Sequence, residues 1–539
     1  MAVIASNTDN IMTNTHTGYH LGDLVSYDGS EPYIFVSYSH VDTDEVYSFL
    51  KKIEEEKFRF WYDDTMEIGE DFREELRTRI ENCSAFLLFI SNASMNSKYC
   101  GMEIITAFKN NKKIYPVYLD ETAEIPAALK MILENIQHVK GYSREGLDKY
   151  VQKLISGLPV ETMRSLEVED GVLVKCKDGS DAISIPGGVT VIGESAFKNC
   201  EKLVRVHLGD KVETIRREAF RGCKSIEEMH LPSNVTFIGE STFRDCINMH
   251  TLTVDNKDIE IGERAFENCA SLTNVSLRNE MTEIYGGIFN SCKALSHIDL
   301  PEMLTILGES SFADCISLEE IKIPPRVTKI DDMVFNGCIE LKEVALPESL
   351  LKIGKNAFKD CSALRSIHIP AAVFNIGAGP FRGCTSLERI EVDAKSRSFK
   401  SVNNVLFNKN KSILICYPAK MALTEYAIPD SVVTVSDWAF CGCTNLKRII
   451  IPDSVYEIGE GAFYMCNALE ELVIPDSVVR IDDTAFRGCS SLRRVYIPDS
   501  VKDFGWGLFN GCGKIQVICS DDSDAARYCD SREIPHSAE

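Results

Sequence analysis

Two different rhythms of hydrophobic and polar residues divide the chain. Between residues 31 and 160, apolar runs alternate with segments of helical periodicity; the runs are YIFVSY (33–38), FRFWY (58–62), SAFLLFIS (84–91) and KIYPVYL (113–119). Strands that alternate with helices predict βαβ units with a parallel sheet covered on both faces. We therefore expect a flavodoxin-like, doubly wound α/β domain over 31–160, preceded by a flexible segment at 1–30.

A unit of 23 residues repeats through the second part of the chain. Residues 467–489 form one such unit, NALEELVIPDSVVRIDDTAFRGC. The alternation in its Leu-x-x-Val-x-Ile stretch predicts a short strand with one buried face, and the proline that follows ends the strand. One coil cannot bury its own apolar residues, so a fixed period of this length indicates a stacked solenoid. We expect a β-rich solenoid over 161–512, with an irregular unit at 391–428 and a cap and tail at 513–539.

The cysteines follow the same period. Thirteen of the 20 end the string Phe-x-x-Cys; they are Cys200, Cys223, Cys246, Cys269, Cys292, Cys315, Cys338, Cys361, Cys384, Cys443, Cys466, Cys489 and Cys512. A thiol at an equivalent place in every coil behaves as a small buried hydrophobe. No Cys-x-x-Cys pair occurs, so we expect no metal site, and we expect the thiols to be reduced.

Charge and composition restrict the partners and the location. The chain has 58 Lys+Arg against 81 Asp+Glu, a formal net charge of −23. Nucleic acids and anionic membranes require a basic footprint, so neither is expected as a partner. Residues 1–30 contain neither a basic n-region nor an apolar h-region, and no apolar run has the length of a membrane span. We expect a cytoplasmic protein.

In a flavodoxin-like sheet, the ligand crevice lies outside the carboxyl ends of the strands. The loop after the first strand would bring Ser37 to Asp42 to this crevice, the loop after the third would bring Ser91 and Asn92, and Asp63 to Glu70 would border it. In the helix that follows, Cys100, Ile104, Ala107 and Phe108 have the spacing of a stripe that faces the sheet. Tyr99 and Glu103, four residues apart, then lie on the flank of that stripe, at the crevice rim.

The repeats resemble the BspA-type leucine-rich repeats of the Treponema pallidum class. That family shares the string seen here as IPDSVYEIGEGAFYMC. The resemblance covers roughly residues 182–512 and implies binding of partners, with no chemistry of its own. We expect an unknown protein or other ligand on the repeat surface.

The first domain resembles the Toll/interleukin-1 receptor (TIR) domain. The segments IFVSYSHVD, FWYDDTMEIG and SNASMNSKYCGMEI look like its three conserved boxes, in the right order. In enzymatic TIR domains, the third box carries an aromatic-Cys-x-x-Glu string whose glutamate is required for cleaving NAD; the match gives that role to Glu103. The resemblance also implies dinucleotide contacts at Ser39 and His40, assigns Glu67 to the so-called BB loop, and implies self-association of TIR domains.

The implied chemistry needs few groups. Nicotinamide leaves NAD as a neutral molecule, so no general acid is needed, and one carboxylate can stabilise the oxocarbenium-like state. Attack by water or by the adenine ring gives ADP-ribose or a cyclic isomer. No cofactor is required because NAD is the substrate. Tyr99 or Trp61 offers a ring to stack on nicotinamide, although a tryptophan at the end of a strand is more often a core residue; His40 is either a ligand contact or a loop residue with no role.

Three functions remain open at this point. The leading hypothesis is an NAD glycohydrolase whose TIR effector is controlled by the repeats as sensor or assembly platform, which suits defence or cell-death signalling. The second is a non-enzymatic TIR adaptor, in which Glu103 is incidental. The third is a host-directed effector or adhesin. Retention of the aromatic-Cys-x-x-Glu string favours the enzyme, because an adaptor has no chemical need for it.

Overall fold

The protein is described here from a computed structural model. It describes residues 20–21, 24–27, 32–54, 58–63, 70–134, 136, 138–140, 147–159, 162, 166–177, 181–256, 258–277 and 281–538. The chain packs into two units, one formed by residues 1–191 with 206–212 and the other by residues 192–205 with 213–539. None of the helices in the described ranges combines the length and the hydropathy that a bilayer span requires.

The first unit is built around a parallel sheet of five strands. They are β1 (Ile34–Ser37), β2 (Phe60–Tyr62), β3 (Ala85–Ile90), β4 (Ile114–Tyr118) and β5 (Val139–Lys140). Their order is β2-β1-β3-β4-β5, and every pairing is parallel. Strand β3 lies at the centre and all six of its residues are buried, as a strand covered on both faces requires. The predicted flavodoxin-like fold is confirmed.

Five helices lie between these strands and a sixth follows the last strand. They are α1 (Thr43–Glu54), α2 (Glu70–Asn82), α3 (Asn92–Asn96), α4 (Lys98–Lys109), α5 (Ala127–Leu133) and α6 (Leu147–Ile155). Serines begin the two helices after β3: the Ser91 hydroxyl accepts a hydrogen bond from the Ser94 amide, and the Ser97 hydroxyl accepts one from Cys100. These caps fix the start of α4 and hence the angular position of its side chains. Shorter strands lie outside the sheet, at His20–Leu21, Leu24–Val25, Leu166–Glu169 and Val172–Cys176.

Most coils of the solenoid contain two short strands, whereas the sequence pattern indicated one. The predicted strands, which most coils follow with a proline, occur at Ala182–Ser184, Arg205–His207, Glu228–Leu231, Thr251–Val254, Asn274–Ser276, Glu320–Lys322, Glu343–Ala345, Ser366–Ile369, Arg389–Val392, Glu425–Ala427, Arg448–Ile450, Glu471–Val473, Arg494–Tyr496 and Gln516–Ile518. A second series follows the proline turn, at Val191–Ile192, Thr214–Ile215, Phe237–Ile238, Glu260–Ile261, Glu283–Ile284, Ile306–Leu307, Lys329–Ile330, Lys352–Ile353, Asn375–Ile376, Thr434–Val435, Glu457–Ile458, Arg480–Ile481 and Asp503–Phe504. Two residues are too short to show an alternation, so this second series has no visible pattern in the sequence.

Stacked phenylalanines form the core of the solenoid. The rings of the Phe-x-x-Cys strings lie parallel in successive coils, with centroids 4.8–5.8 Å apart and interplanar angles of 1–22°. The residue before each cysteine has φ between +57° and +78°. This left-handed conformation favours Gly, Asn and Asp, which explains strings such as FRGC, FKNC and FRDC. The period of 23 therefore combines a packing requirement with a turn requirement.

The cysteines of the Phe-x-x-Cys strings form a cysteine ladder, in which hydrogen bonds connect one coil to the next. Each Sγ from Cys223 to Cys384 donates to the carbonyl oxygen of the phenylalanine 26 residues earlier, at 3.0–3.3 Å; Cys315, for example, donates to Phe289 at 3.2 Å. Burial raises the pKa of the Cys315 thiol to about 12, so the thiol form is favoured. These contacts give the sulfurs from Cys223 to Cys384 a structural role.

We expect Cys315→Ser to destabilise the protein by about 1–3 kcal/mol, because it places a hydroxyl in a packed, apolar interior. The shorter C–O bond also holds the hydroxyl farther from the Phe289 oxygen than the sulfur is. Cys315→Ala should cost less, since the Phe289 oxygen retains the Cys292 amide at 3.1 Å. Urea unfolding of both variants measures the difference in their free energies of unfolding. A loss for Cys315→Ala that equals or exceeds the loss for Cys315→Ser would contradict the prediction.

The reduced state of the cysteines is tested separately by mass spectrometry under non-reducing conditions. Disulfide-linked peptides from the Phe-x-x-Cys strings would contradict it.

The irregular unit and the C-terminal cap are both ordered. Strands Phe399–Val402, Val405–Asn408 and Ile413–Cys416 pair antiparallel, and Tyr417 then stacks on Phe440 at 5.2 Å in place of a phenylalanine. At the end of the chain, α7 (Asp524–Asp530) buries Ala525, Ala526, Tyr528 and Cys529 against the last coil. The acidic tail is thus a cap with an apolar inner face.

Candidate functional site

Side chains from four segments meet at the carboxyl end of the α/β sheet. The loop after β1, the residue after β2, the loop after β3 and helix α4 each contribute polar groups. The Tyr38 hydroxyl donates to the Asp63 carbonyl oxygen at 3.2 Å, and the Ser91 hydroxyl donates to Asp42 Oδ2 at 2.5 Å. The predicted crevice loops therefore lie together, as the strand order requires.

Glu103 is held at the inner edge of this crevice. It lies on α4, one residue before the fully buried Ile104, and is half-buried. Ser37, the last residue of β1, is 1% exposed and its hydroxyl donates to Glu103 Oε2 at 2.6 Å. This bond joins the helix to the end of the central strands and fixes one carboxylate oxygen.

The environment raises the pKa of the Glu103 carboxyl from its ordinary value of 4.5 to about 7. Desolvation is the largest cause, and the negative charge of Asp63 adds to it. The hydrogen bond from Ser37 acts in the opposite direction because it stabilises the charged form. Glu103 therefore exchanges its proton near neutral pH, as catalytic carboxyl groups often do.

Cys100 lies beneath the same site but is not an activated nucleophile. Its Sγ donates to the Tyr38 carbonyl oxygen at 3.4 Å. Burial, together with the charge of Glu103, raises the pKa of the Cys100 thiol to about 11. A protonated thiol is a poor nucleophile. The Cys100 thiol therefore stays protonated at neutral pH, beside a Glu103 carboxyl whose pKa is near neutrality.

Ser39 and His40 begin the segment between β1 and α1. The Ser39 carbonyl oxygen accepts the amide hydrogen of Asp42 at 2.7 Å, which closes a short 3₁₀ turn at His40–Asp42. The His40 side chain is 41% exposed, with Nε2 4.0 Å from Asp63 Oδ2, and its ring meets the edge of Tyr38. Both predicted contacts thus lie at the crevice, on the same loop as Ser37. Whether they contact a dinucleotide stays a prediction.

The structure decides between the two interpretations of Trp61 and corrects the predicted place of Phe108. Trp61 is 6% exposed: it stacks on Phe35 at 4.9 Å and lies beneath the Arg79 guanidinium. Its ring is thus a core residue and is not available to nicotinamide. Phe108 is 50% exposed, so it leaves the stripe of Cys100, Ile104 and Ala107 that packs on the sheet. Its position at the last turn of α4 carries it round the helix, away from the sheet.

The other predicted residues divide between the crevice rim and the undescribed part of the chain. Tyr99 is 41% exposed on the first turn of α4, one helical turn before Glu103, so its ring is accessible. Glu67 and the rest of the loop 64–69 lie outside the described residues. Among the residues that are described, no group of three or more His, Cys, Asp or Glu has the arrangement of a metal site.

The sequence placed Ser37 and Asp63 at the crevice without giving either a role. The Ser37 hydroxyl donates the hydrogen bond to the Glu103 carboxylate, and Asp63 contributes to the raised pKa of Glu103. The available signal was a polar residue ending an otherwise apolar, fully buried strand. Burying a hydroxyl is unfavourable unless it is hydrogen-bonded, so such a residue needs a partner nearby.

Comparison with known protein families agrees with this architecture. The model of the TIR domain family matches residues 34–155. The model described as a BspA type leucine rich repeat region of six copies matches residues 169–296, 282–414 and 416–524. The chain belongs to the BspA-type leucine-rich repeat family. Its repeats follow a TIR domain, so both resemblances drawn from the sequence are confirmed.

Two solved structures similar to the chain are leucine-rich repeat proteins. A leucine rich cell surface protein from Faecalibacterium prausnitzii is 25% identical over 69% of this chain and 96% of its own, with a TM-score of 0.47. A leucine-rich repeat protein from Bacteroides ovatus is 28% identical over 68% of this chain and 88% of its own, with a TM-score of 0.42. The comparison with curated proteins gave no match.

Proposed function

We propose that the TIR domain is an NAD⁺ glycohydrolase with Glu103 as the catalytic residue. The observation that carries the proposal is the Glu103 carboxylate at the carboxyl end of the sheet, bonded to Ser37 and with a pKa near neutrality. A surface glutamate with no function would be solvated and would keep an ordinary pKa. One carboxylate close to the ribose is enough for the proposed chemistry, which supports this assignment.

The reaction follows from the charge that each group carries. The bond between the ribose and the nicotinamide nitrogen breaks with both electrons going to nicotinamide, which leaves neutral. The ribose gains positive charge, and an ionised Glu103 close to it stabilises that charge. Water, or the adenine ring of the same molecule, then forms the new bond and releases a proton. We infer Tyr99, Ser39 and His40 as contacts for the substrate.

The direct test is to incubate the purified full-length protein with NAD⁺ and to resolve the products by chromatography. We expect nicotinamide together with ADP-ribose or a cyclic isomer. A parallel reaction with NADP⁺ measures the preference between NAD⁺ and NADP⁺. NAD⁺ that remains intact at every protein concentration would favour the adaptor.

One observation supports this second candidate, a TIR adaptor. The apolar side chains Met102, Ile105 and Phe108 on α4 are exposed and offer a docking face.

The pH profile tests the role of Ser37. Because the ionised form of Glu103 is the active one, kcat/KM should fall as the pH decreases through about 7. Ser37→Ala removes a hydrogen bond that lowers the pKa of Glu103, so it should move this acid limb to higher pH. Thr106→Ala, on the same helix but bonded to the Met102 carbonyl oxygen, serves as control. An acid limb that Ser37→Ala leaves in place would contradict the assignment.

We further propose that the repeats act as sensor or assembly platform and that the protein works in the cytoplasm. A solenoid offers an extended surface on which several TIR domains can be held together, raising their effective concentration without new contacts. The adhesin alternative requires a location at the cell surface instead. Fractionation of expressing cells distinguishes the two locations.

A further inference from the structure

An apolar column runs along one face of the last coils. In the sheet formed by the strands before each proline, parallel register places Ala427 beside Ile450 and Val473 beside Tyr496. Ile450 is 41% and Val473 is 58% exposed. The apolar column comprises Ala427, Ile450, Val473, Tyr496 and Ile518. Side chains of this kind on adjacent strands form one continuous surface that water covers in the free protein.

The fold does not require this column. At the same strand position, the earlier coils carry polar side chains except at Ala345; examples are His230, Thr253, Lys322 and His368. The inward positions are apolar in both parts of the solenoid, so packing is satisfied without the outward column. Among the described coils, consecutive apolar side chains at this outer position therefore belong to the C-terminal ones.

An aspartate column lies beside the apolar column. In the last four coils the turn reads Pro-Asp-Ser-Val, which places Asp430, Asp453, Asp476 and Asp499 at equivalent exposed positions. The serine hydroxyls have a structural role: Ser454, for example, donates to the Val432 carbonyl oxygen of the preceding coil at 2.7 Å. In the part of the chain that the structure describes, none of the four aspartates forms an ion pair.

Like charges stacked at strand spacing are unfavourable. Adjacent coils lie about 4.8 Å apart, so each aspartate has like-charged neighbours at roughly that separation. On the other side of the apolar column the strand residues alternate in sign and compensate one another, as Arg448 does with Glu425 at 3.9 Å. The uncompensated negative charge is thus on one flank only. A cationic partner would relieve it.

We propose that this face, the apolar column with the aspartate column, binds an amphipathic α-helix with lysine or arginine along one flank. The helix would lie along the solenoid axis, with its apolar stripe on Ile450, Val473 and Tyr496. One helical turn advances about 5.4 Å, close to the coil spacing of about 4.8 Å, so one basic residue per turn meets one aspartate per coil. About three turns cover the four aspartates.

Spacing and charge argue against other occupants. An extended peptide repeats its side chains every two residues, about 6.7 Å, and loses register with the coils after two of them. An anionic membrane surface is repelled by the aspartates. The partner is therefore identified by chemistry as a basic, amphipathic helical segment of a protein.

The test uses the full-length protein and three 18-residue peptides in a fluorescence anisotropy titration. The first peptide has leucine at helical i, i+3, i+4, i+7 positions and lysine elsewhere; the second has glutamate in place of lysine; the third is an order-scrambled form of the first. We expect saturable binding of the first peptide alone, weakened by added salt. Equal binding of the glutamate or scrambled peptide, no binding of the first, or binding of phosphatidylserine vesicles would overturn the proposal.

Paired variants locate the surface. Asp453→Asn with Asp476→Asn should weaken binding about 2- to 30-fold, as expected for two exposed ion pairs. Ile450→Thr with Val473→Thr should also weaken it while keeping β-branched residues in the strands. Glu348→Gln removes an exposed charge from the equivalent turn of an earlier coil and should change nothing. Equal affinity in all variants would overturn the proposal; the measurement needs no NAD⁺ and is independent of the proposed enzymatic function.

Discussion

Glu103→Gln is expected to abolish release of nicotinamide from NAD⁺ while the protein remains folded. The glutamine keeps the size of the side chain and can still pair with the Ser37 hydroxyl, which lies 2.6 Å from the native carboxylate. It carries no negative charge to stabilise the developing cation on the ribose. Loss of such a group typically costs about 10²–10³ in rate or more. Chromatographic assay of the products at saturating NAD⁺ measures the loss.

A second measurement separates loss of charge from loss of fold. In the folded protein the pKa of Glu103 is about 7, above its ordinary value of 4.5, so the ionised carboxylate destabilises the protein at higher pH. Glu103→Gln should therefore raise the Tm above that of the wild type at pH 8. The difference should disappear as the pH falls toward 4.5, where both side chains are neutral. A variant that is folded and turns over NAD⁺ at the wild-type rate would refute the assignment.

The architecture was predictable because its determinants repeat or are local. Every coil of the solenoid must bury a phenylalanine and adopt a left-handed turn before its cysteine, so the same string recurs at each coil. In the TIR domain, strands buried on both faces read as uninterrupted apolar runs such as SAFLLFIS. The second strand series was missed because its segments are only two residues long. They form strands because they pair with the equivalent segments of neighbouring coils.

The site was predictable only in part, because its properties depend on contacts between distant segments. Spacing put Glu103 at the crevice, but its raised pKa comes from burial and from Asp63, which is far away in sequence. Trp61 shows the same limit: its position at the end of a strand favours the core, but no local pattern specifies that it lies between Phe35 and Arg79. Ser37 was recognisable as a buried hydroxyl without being recognisable as the partner of Glu103.

NAD⁺ cleavage is expected to depend on self-association of the TIR domain, which the resemblance to enzymatic TIR domains implies. Helix α4 carries Glu103 and, on its outer face, Met102, Ile105 and Phe108, which are 48%, 37% and 50% exposed. We expect the specific activity of the full-length protein to rise with its concentration. Ile105→Lys with Phe108→Lys should abolish that rise, because the burial of each side chain in a contact contributes about 1.5 kcal/mol or more, or about 100-fold in Kd together.

The double variant keeps the helix intact because lysine is a good helix former and is favourable near a helix C-terminus. Met131→Lys on α5, at a side chain that is 83% exposed, is the matched control and should leave the concentration dependence unchanged. Light scattering of the same samples gives the molar mass of the assembly, so that activity can be compared with oligomeric state. A specific activity that stays constant from nanomolar to tens of micromolar, in a protein that is monomeric throughout, would exclude the dependence and leave Glu103 acting within a single TIR domain.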